Sequence, residues 1–547
     1  MDKTVELNTE DDSGLDLLHR GTLREKIGQL FVMGFEGTVP SEGILQLIGE
    51  GRIGGVIYFA RNLESAEGAY RLTSDLQEAA RSRGTLPLLV CTDQEGGMVV
   101  RIREGISPAP SNMAVGAAGR EDLAYQAAYG TAEELRALGI GMNLAPVVDI
   151  NVNPLNPIID IRSYGDDAEL VGRMGAASIR GHQEAGVSAV AKHFPGHGDT
   201  ASDSHADTPL LPYGPDRLNR VEFEPFRRAV EACVDAIMTA HIAVPQLAPD
   251  LLPATLSRPL LTGVLREQLG FKGVIISDCM EMAAVARGRG VGEACVMALE
   301  AGVDLLLVSH TFEEQTGGLN AVEAAVREGR VTEARIDESL RRILDLKRRR
   351  ALSYESSPWD SVRLRLCQPD TLDVLRSLRE AGISAGGPEP GGWRLDPNAS
   401  TLLLLPEMGA VSHSENELTA TGSLGSLLAA GLHAPLEERP HPPLLDPKAI
   451  AGLAALSRTF GQTVVGLYDA KNHPEQNALV RSLEQSGSRL IVISLRNPAD
   501  LAPFAESSSW VSCCDPHPDS LGALAHVLLG ELEPQGTLPV TLWHIGD

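Results

Sequence analysis

From Thr22 onward short apolar runs alternate with amphipathic stretches, about eight times over ~300 residues. The apolar runs fall at 30–34, 55–59, 88–92, 142–148, 189–193, 236–241, 274–278 and 304–308. They are apolar on both faces, which is how strands covered on both sides read. Between them, 66–80, 122–137, 170–184, 217–233, 258–269 and 291–301 carry helical periodicity. Strand and helix in strict alternation produce a parallel sheet. Eight repeats of this length fit an α/β fold closed as a (β/α)8 barrel better than an open doubly wound sheet.

The polar residues support closure. Nearly every run ends in polar or charged groups: Arg61 and Asn62, then Asp93, Gln94 and Glu95, then Asp149 and Asn151. Lys192 and His193 follow, then His241, Asp278, and Ser309 with His310. Any one of them is as readily a helix cap. In a barrel they converge on one mouth, where such folds place their sites. Helix 335–350 ends this region with a basic last turn, favourable against the helix dipole. Residues 1–20 read as an acidic N-terminal tail and 21–351 as the barrel. Residues 352–400 read as linker and connecting helix, rich in Gly and Pro near 386–392. Residues 401–547 read as a C-terminal α/β sandwich domain with five strands, at 402–405, 464–468, 490–495, 510–513 and 538–542. This unit lacks a GxGxxG turn, so nothing marks a dinucleotide site and no cofactor is expected. Its plain reading is a buttress for the barrel.

Net charge is −26, from 47 basic and 73 acidic residues, which disfavours nucleic acid and anionic membranes as partners. No run reaches membrane-spanning length. The start, MDKTVELNTEDDSGLDLL, lacks the apolar core of a signal peptide. The 7 cysteines are scattered and include no CxxC. Free thiols in a cytoplasmic protein, monomer or homodimer, are the expectation.

The densest chemistry lies in 188–208, SAVAKHFPGHGDTASDSHADT. A buried strand ends in Lys192-His193 and opens into a loop carrying His197, Asp199, Asp203, His205 and Asp207. Asp203 and His205 are two apart, so in extended chain they share a side. A carboxylate there orients the imidazole and raises its basicity, which suits His205 to general acid/base work; a solvated loop with an Asp turn is the plainer alternative. Asp278, delivered to a strand end by Val274 to Ile276, suits a nucleophile or electrostatic stabiliser as well as it suits a helix cap. Asp93 is a second acidic strand end, followed by glycines that let backbone approach a ligand. Arg101, Arg162, Lys192 and His193 supply donors for hydroxyls or a carboxylate, or ordinary ion pairs. Pro195, Gly196 and Gly198 disfavour the helix on which a His pair would hold zinc, so no metal site is expected there. His197 and Asp199 read as loop-shaping.

The ordered series of motifs resembles glycoside hydrolase family 3, in its β-N-acetylglucosaminidase (NagZ-like) branch. It comprises GGVIYFARN (54–62), DQEGG (93–97), NLAPVVDINVNPLNPII (143–159) with RSYG (162–165), and KHFPGHGDT…DSH (192–205). MTAHIAVP (238–245), PATLS (253–257), LREQLGFKGVIISD (265–278) and AGVDLLL (301–307) complete it. The resemblance covers about 22–350; VGLYDA (465–470), LRNPADL (495–501) and TLPVTLW (537–543) are weaker echoes in the appended domain. It implies Asp278 as nucleophile and His205 as acid/base assisted by Asp203, on a mobile loop. It implies Asp93, Arg101, Arg162, Lys192 and His193 as contacts to the sugar. The expected activity is a retaining exo-β-N-acetylglucosaminidase acting on a small carbohydrate, a muropeptide or chitin-derived fragment, without metal or other cofactor. A neutral base does not repel phosphate, so an N-acetylglucosamine phosphorylase stays open.

Three residues depart from the family's usual pattern. Met98 stands where Arg follows EGG, Cys279 where a second Asp follows the nucleophile, and Asp160 where Gly is commoner. Met98 is expected to alter local ion pairing and Cys279 the support of the nucleophile, and Asp160 bears on the surroundings of Arg162. The competing readings are a β-glucosidase or broad β-glycosidase, whose acid/base commonly comes from another domain, an inactive sugar-binding barrel, and a metal-dependent hydrolase.

Overall fold

The structure is a computed structural model that describes residues 13–200, 208–350, 357–416 and 423–542. Among them, eight parallel strands close into one barrel. They are β1 (Phe31–Met33), β2 (Gly55–Tyr58), β3 (Leu89–Thr92) and β4 (Met142–Asn143), then β5 (Ser188–Phe194), β6 (Ala236–Thr239), β7 (Val274–Cys279) and β8 (Leu305–Val308). Every neighbouring pair is parallel, and β8 returns to β1 through Phe31 beside Leu306. Val90, Val190, Ile275 and Leu306 are fully buried, as continuous apolar runs require. Strand β4 is shorter than the apolar run suggests. Pro146 has no N–H to give to a ladder, so the chain beyond Asn143 reaches β5 only through single bonds, such as Val148 N to Lys192 O at 2.7 Å.

At the opposite end of the barrel, buried carboxylates tie the outer helices to the strands. Asp304 accepts from Arg266, Arg342, Ser339 and the backbone of Ile275. Lys347, on helix Glu333–Arg349, donates to Gln29 Oε1, Gly54 O and Pro87 O at 2.8, 2.7 and 2.9 Å.

The second unit is one mixed sheet built from β9 (Ser384–Gly386), β10 (Thr401–Pro406), β11 (Leu436–His441), β12 (Gln462–Leu467), β13 (Arg489–Ser494) and β14 (Ser509–Ser512). Its order is β9-β14-β13-β12-β10-β11, with only the β9 edge antiparallel. The sheet has six strands where the sequence reading expects five. Edge strand β11 carries Glu437, Glu438, Arg439 and Pro440, the residues that protect an exposed edge and conceal it from pattern reading. Strand β9 lies within the stretch read as linker. Residues 538–542 form no strand, because Pro539 interrupts the run. Their backbone turns to the barrel instead: Thr537 N bonds Ala117 O, Asp166 N bonds Pro539 O, and Thr541 N bonds Asp166 Oδ2. Val540 packs with Met98, Met113 and Ile161 between the two units. No helix among the described residues is long and apolar enough to cross a membrane.

Candidate active site

The C-terminal ends of the barrel strands open into a cavity of about 480 Å3, within the roughly 300–1,000 Å3 typical of small-molecule sites. Asp93, Arg101, Arg162, Lys192, His193 and Asp278, separated by up to 185 positions (278 − 93), all line it. Asp203 and His205 lie outside the described residues, as does any displacement of their loop from Asp278.

One side of the cavity is a lattice of charge built on Glu95. Lys192 Nζ stands 2.7 Å from both Asp93 Oδ1 and Glu95 Oε1. Arg162 grips Glu95 with both arms of its guanidinium, Nε to Oε2 at 2.9 Å and Nη2 to Oε1 at 2.8 Å. Burial alone would push the Glu95 carboxyl up, but Arg162 and Lys192 outweigh it and hold the group far below the usual range. Burial also works against the Lys192 ammonium, and Asp93 and Glu95 reverse that and raise its pKa. Glu95, Lys192 and Arg162 are thereby held in their charged forms, and Asp93 is the more open member of the lattice toward the cavity. The sequence reading places Glu95 at a polar strand end without assigning it a role. Its importance comes from partners 67 and 97 positions away (162 − 95 and 192 − 95).

His193 is oriented from behind. Its Nδ1 lies 2.7 Å from Asp149 Oδ2, and Asp149 also accepts the backbone N–H of His193 and, at 2.6 Å, of His197. Burial opposes the Asp149 charge, but these partners hold its carboxyl below the usual range. The arrangement leaves His193 Nε2 for the cavity side. His197 also borders the cavity. Burial lowers its pKa to about 4, so it stays neutral, and it bonds Thr200 Oγ1 at 2.7 Å. Asp199 pairs with Arg217 at 3.5 Å, in keeping with the loop-shaping reading of both residues.

Asp278 and Cys279 end β7 on the facing wall. Asp278 Oδ1 accepts the backbone N–H of Cys279 at 2.7 Å. His241 pins the strand end, with Nε2 2.9 Å from Cys279 O and Nδ1 2.8 Å from Thr255 Oγ1. This bond to Asp278 comes from backbone, so it does not depend on Cys279 being a cysteine. Among the described residues, Cys279, Glu281 and His310 form a group whose ligand atoms would suit a metal ion.

The glycines after Asp93 have a packing role. A Cβ on Gly96 would sit 2.3 Å from Pro110 O, and one on Gly97 2.8 Å from Ser111 Cβ, so they let the turn after β3 press against 109–111. Met98 joins the apolar cluster between the units rather than an ion-pair network.

The second unit is more than a buttress, because His413, Ser414, Glu415 and Asn416 form part of the cavity wall. Arg101 Nη1 donates to Ser414 O at 2.9 Å and Asn416 Oδ1 at 3.1 Å, while its Nη2 is 3.7 Å from Asp93. Asn416 N bonds Met98 O at 2.9 Å. Behind the wall, buried Arg496 spans Glu415 and Asp160, at 2.5 Å and 2.6 Å. Asp160 has φ +46, the left-handed region where Gly is usual and Asp is tolerated. Asn497 also donates to it, at 2.5 Å. The side chain absent from glycine is thus the anchor of the inter-unit bridge.

The profile described as "Glycosyl hydrolase family 3 N terminal domain" matches residues 22–346. "Beta-hexosaminidase A" of Pseudoalteromonas piscicida is 30% identical across 93% of this chain and 92% of its own length. "Beta-hexosaminidase" of Stenotrophomonas maltophilia (strain R551-3) is 37% identical across 51% of this chain and 83% of its own. The solved structure of a glycoside hydrolase family 3 β-N-acetylglucosaminidase from Paenibacillus sp. str. FPU-7 is 42% identical with a TM-score of 0.88, covering 95% of this chain and 99% of that one. Both units are therefore shared with that structure, and the chain belongs to glycoside hydrolase family 3.

Proposed function

We propose that this glycoside hydrolase is a retaining exo-β-N-acetylhexosaminidase that removes terminal β-linked N-acetylglucosamine. The observation that carries this reading is the opposition, across one cavity, of the Asp278 wall to the charged lattice of Asp93, Lys192, Glu95 and Arg162. The lattice offers a fixed set of charged donors and acceptors to sugar hydroxyls, and its low exposure strengthens each contact. Asp278 attacks the anomeric carbon and the glycosidic C–O bond breaks toward the aglycone. Protonated His205, oriented by Asp203, gives its proton to the leaving oxygen. Neutral His205 then takes a proton from water, which displaces Asp278 and releases the sugar with its configuration retained. The pairing of N-acetylglucosaminide specificity with this machinery is supported by the hexosaminidase names of the relatives and of the 42% identical structure. Muropeptide and chitin-derived fragments are the natural substrates we propose.

Hydrolysis of 4-nitrophenyl N-acetyl-β-glucosaminide by wild type, Asp278→Ala and His205→Ala tests the reading. Wild type cleaves it in preference to the glucoside, and each variant loses about 10³-fold or more in kcat, the scale on which removal of a catalytic group acts. Full activity in Asp278→Ala removes the nucleophile assignment. Cleavage of the glucoside alone removes the N-acetyl assignment.

A further inference from the structure

At the barrel mouth, beside the Asp278 wall, three side chains converge outside the charged lattice. Cys279 ends β7, Glu281 follows it, and His310 leaves the end of β8. Each offers one ligand atom, and the three atoms lie within 4.8 Å of one another. Cys279 Sγ is 3.9 Å from Glu281 Oε2. The carboxylate of Glu281 is fixed in place. Its two oxygens accept the backbone N–H groups of His310 and Thr311 at 2.7 and 2.8 Å, which folds the loop after β8 onto it. The His310 ring rests on Phe59, with centroids 5.3 Å apart. Ser309 is fully buried, and its hydroxyl lies beside the Cys279 thiol. Arg61 faces the cluster and is itself occupied by Glu36 at 2.9 Å and by the carbonyls of Phe35 and Ser309.

A thiol, an imidazole and a carboxylate, with room for a fourth ligand on the cavity side, are the donors that thiophilic divalent cations select. We propose that Cys279, Glu281 and His310 bind one thiophilic divalent cation of the zinc class, and that the bound ion blocks the hydrolase. On binding, the S–H proton of Cys279 passes to solvent and a metal–thiolate bond forms, with no change of oxidation state. The ion then sits one residue from Asp278, whose carboxylate it draws electron density from, and occupies the cavity wall that Cys279 and His310 line. The blocking effect rests on the assignment of Asp278 as nucleophile, whereas binding does not.

The full-length enzyme, dialysed against zinc in a non-chelating buffer, gives the stoichiometry by elemental analysis. One zinc per wild-type chain is expected, and none in Cys279→Ser or His310→Ala at the same free metal concentration. Cobalt in place of zinc gives a thiolate-to-metal charge-transfer band in wild type that is absent from Cys279→Ser, a readout independent of turnover. Saturating zinc lowers wild-type hydrolysis about tenfold or more and EDTA restores it. In each variant the ratio of activity with and without zinc stays near one. Equal zinc in wild type and Cys279→Ser, or no zinc in either, overturns the site. A cobalt band with undiminished activity overturns the block. If Asp278→Ala is also fully active, that failure belongs to the nucleophile assignment, since the band stands without it.

Discussion

Replacing Glu95 by Gln tests whether the charged lattice governs both stability and catalysis. The side chain is 2% exposed and accepts three N–H donors, two from Arg162 and one from Lys192. A glutamine has one acceptor oxygen, and its own NH2 would point at a guanidinium or an ammonium. With that oxygen in the Oε1 position the charge-assisted bond from Arg162 Nε, worth about 1.5–3 kcal/mol, is lost, Arg162 loses its counter-charge and Lys192 loses one of two. The cost is about 3–5 kcal/mol, the range for removing one partner of a buried pair. Lys192 then keeps Asp93 as its counter-charge, and Arg162 loses its two-armed grip. With both displaced, kcat/KM on the chromogenic N-acetylglucosaminide falls about a hundredfold, or ~2.7 kcal/mol. The pH dependence has a definite sign. Because the folded carboxyl is held far below its unfolded value, its stabilisation is complete above the unfolded pKa and is lost as pH falls toward the folded one. Glu95→Gln removes that component. Urea unfolding followed by circular dichroism at neutral and acid pH, with steady-state kinetics, measures all three quantities. A variant with the wild-type midpoint and kcat/KM within about twofold of wild type refutes the reasoning.

Asp160→Gly relieves a left-handed backbone but removes the anchor of Arg496 and so loosens the 413–416 wall. KM is expected to rise about fivefold or more while kcat changes little, and an unchanged KM in initial-rate assays would show that the substrate does not feel the bridge. Burial pushes the Lys347 amine down to about 7 from 10.5. Between those values the unfolded chain binds a proton that the folded chain does not, so wild-type stability rises with pH across that window. Lys347→Met is expected to lower the thermal midpoint and to flatten this rise, and equal slopes for the two proteins from pH 7 to pH 9.5 would contradict the shift.

The barrel was legible because parallel strands covered on both faces have only apolar residues to show, and each run ended in a polar group at one mouth. What escaped was pairing across distance. Glu95 and Asp149 read as strand-end polar residues, yet their chemistry is set by Arg162 and Lys192, and by His193 and His197, which only barrel closure brings near. Edge strand β11 escaped because its charges and proline suppress the strand pattern. The run at 538–542 misled in the opposite direction, since its apolar residues serve a seam between the units and not a ladder. Asp203 and His205 were legible as a motif, and they lie outside the described residues.

The seam explains why a loop as unremarkable in sequence as VSHSEN belongs to the site. Its inner side is tied to the barrel twice, by Arg101 to Ser414 and Asn416 and by Met98 O to Asn416 N. Its outer side is tied through Glu415 and Arg496 to Asp160. Arg101 divides its guanidinium between this loop and Asp93, so movement of the second unit alters the electrostatics of a lattice member directly. Burying Arg496 between two carboxylates adds little net stability compared with an apolar contact of the same volume, because desolvation offsets most of the attraction. What the bridge supplies is register: each charge has a single low-energy partner geometry across the seam, whereas the apolar patch of Met98, Ile161 and Val540 tolerates sliding. The apolar cluster therefore holds the units together, and the Asp160–Arg496–Glu415 bridge determines where the cavity wall stands.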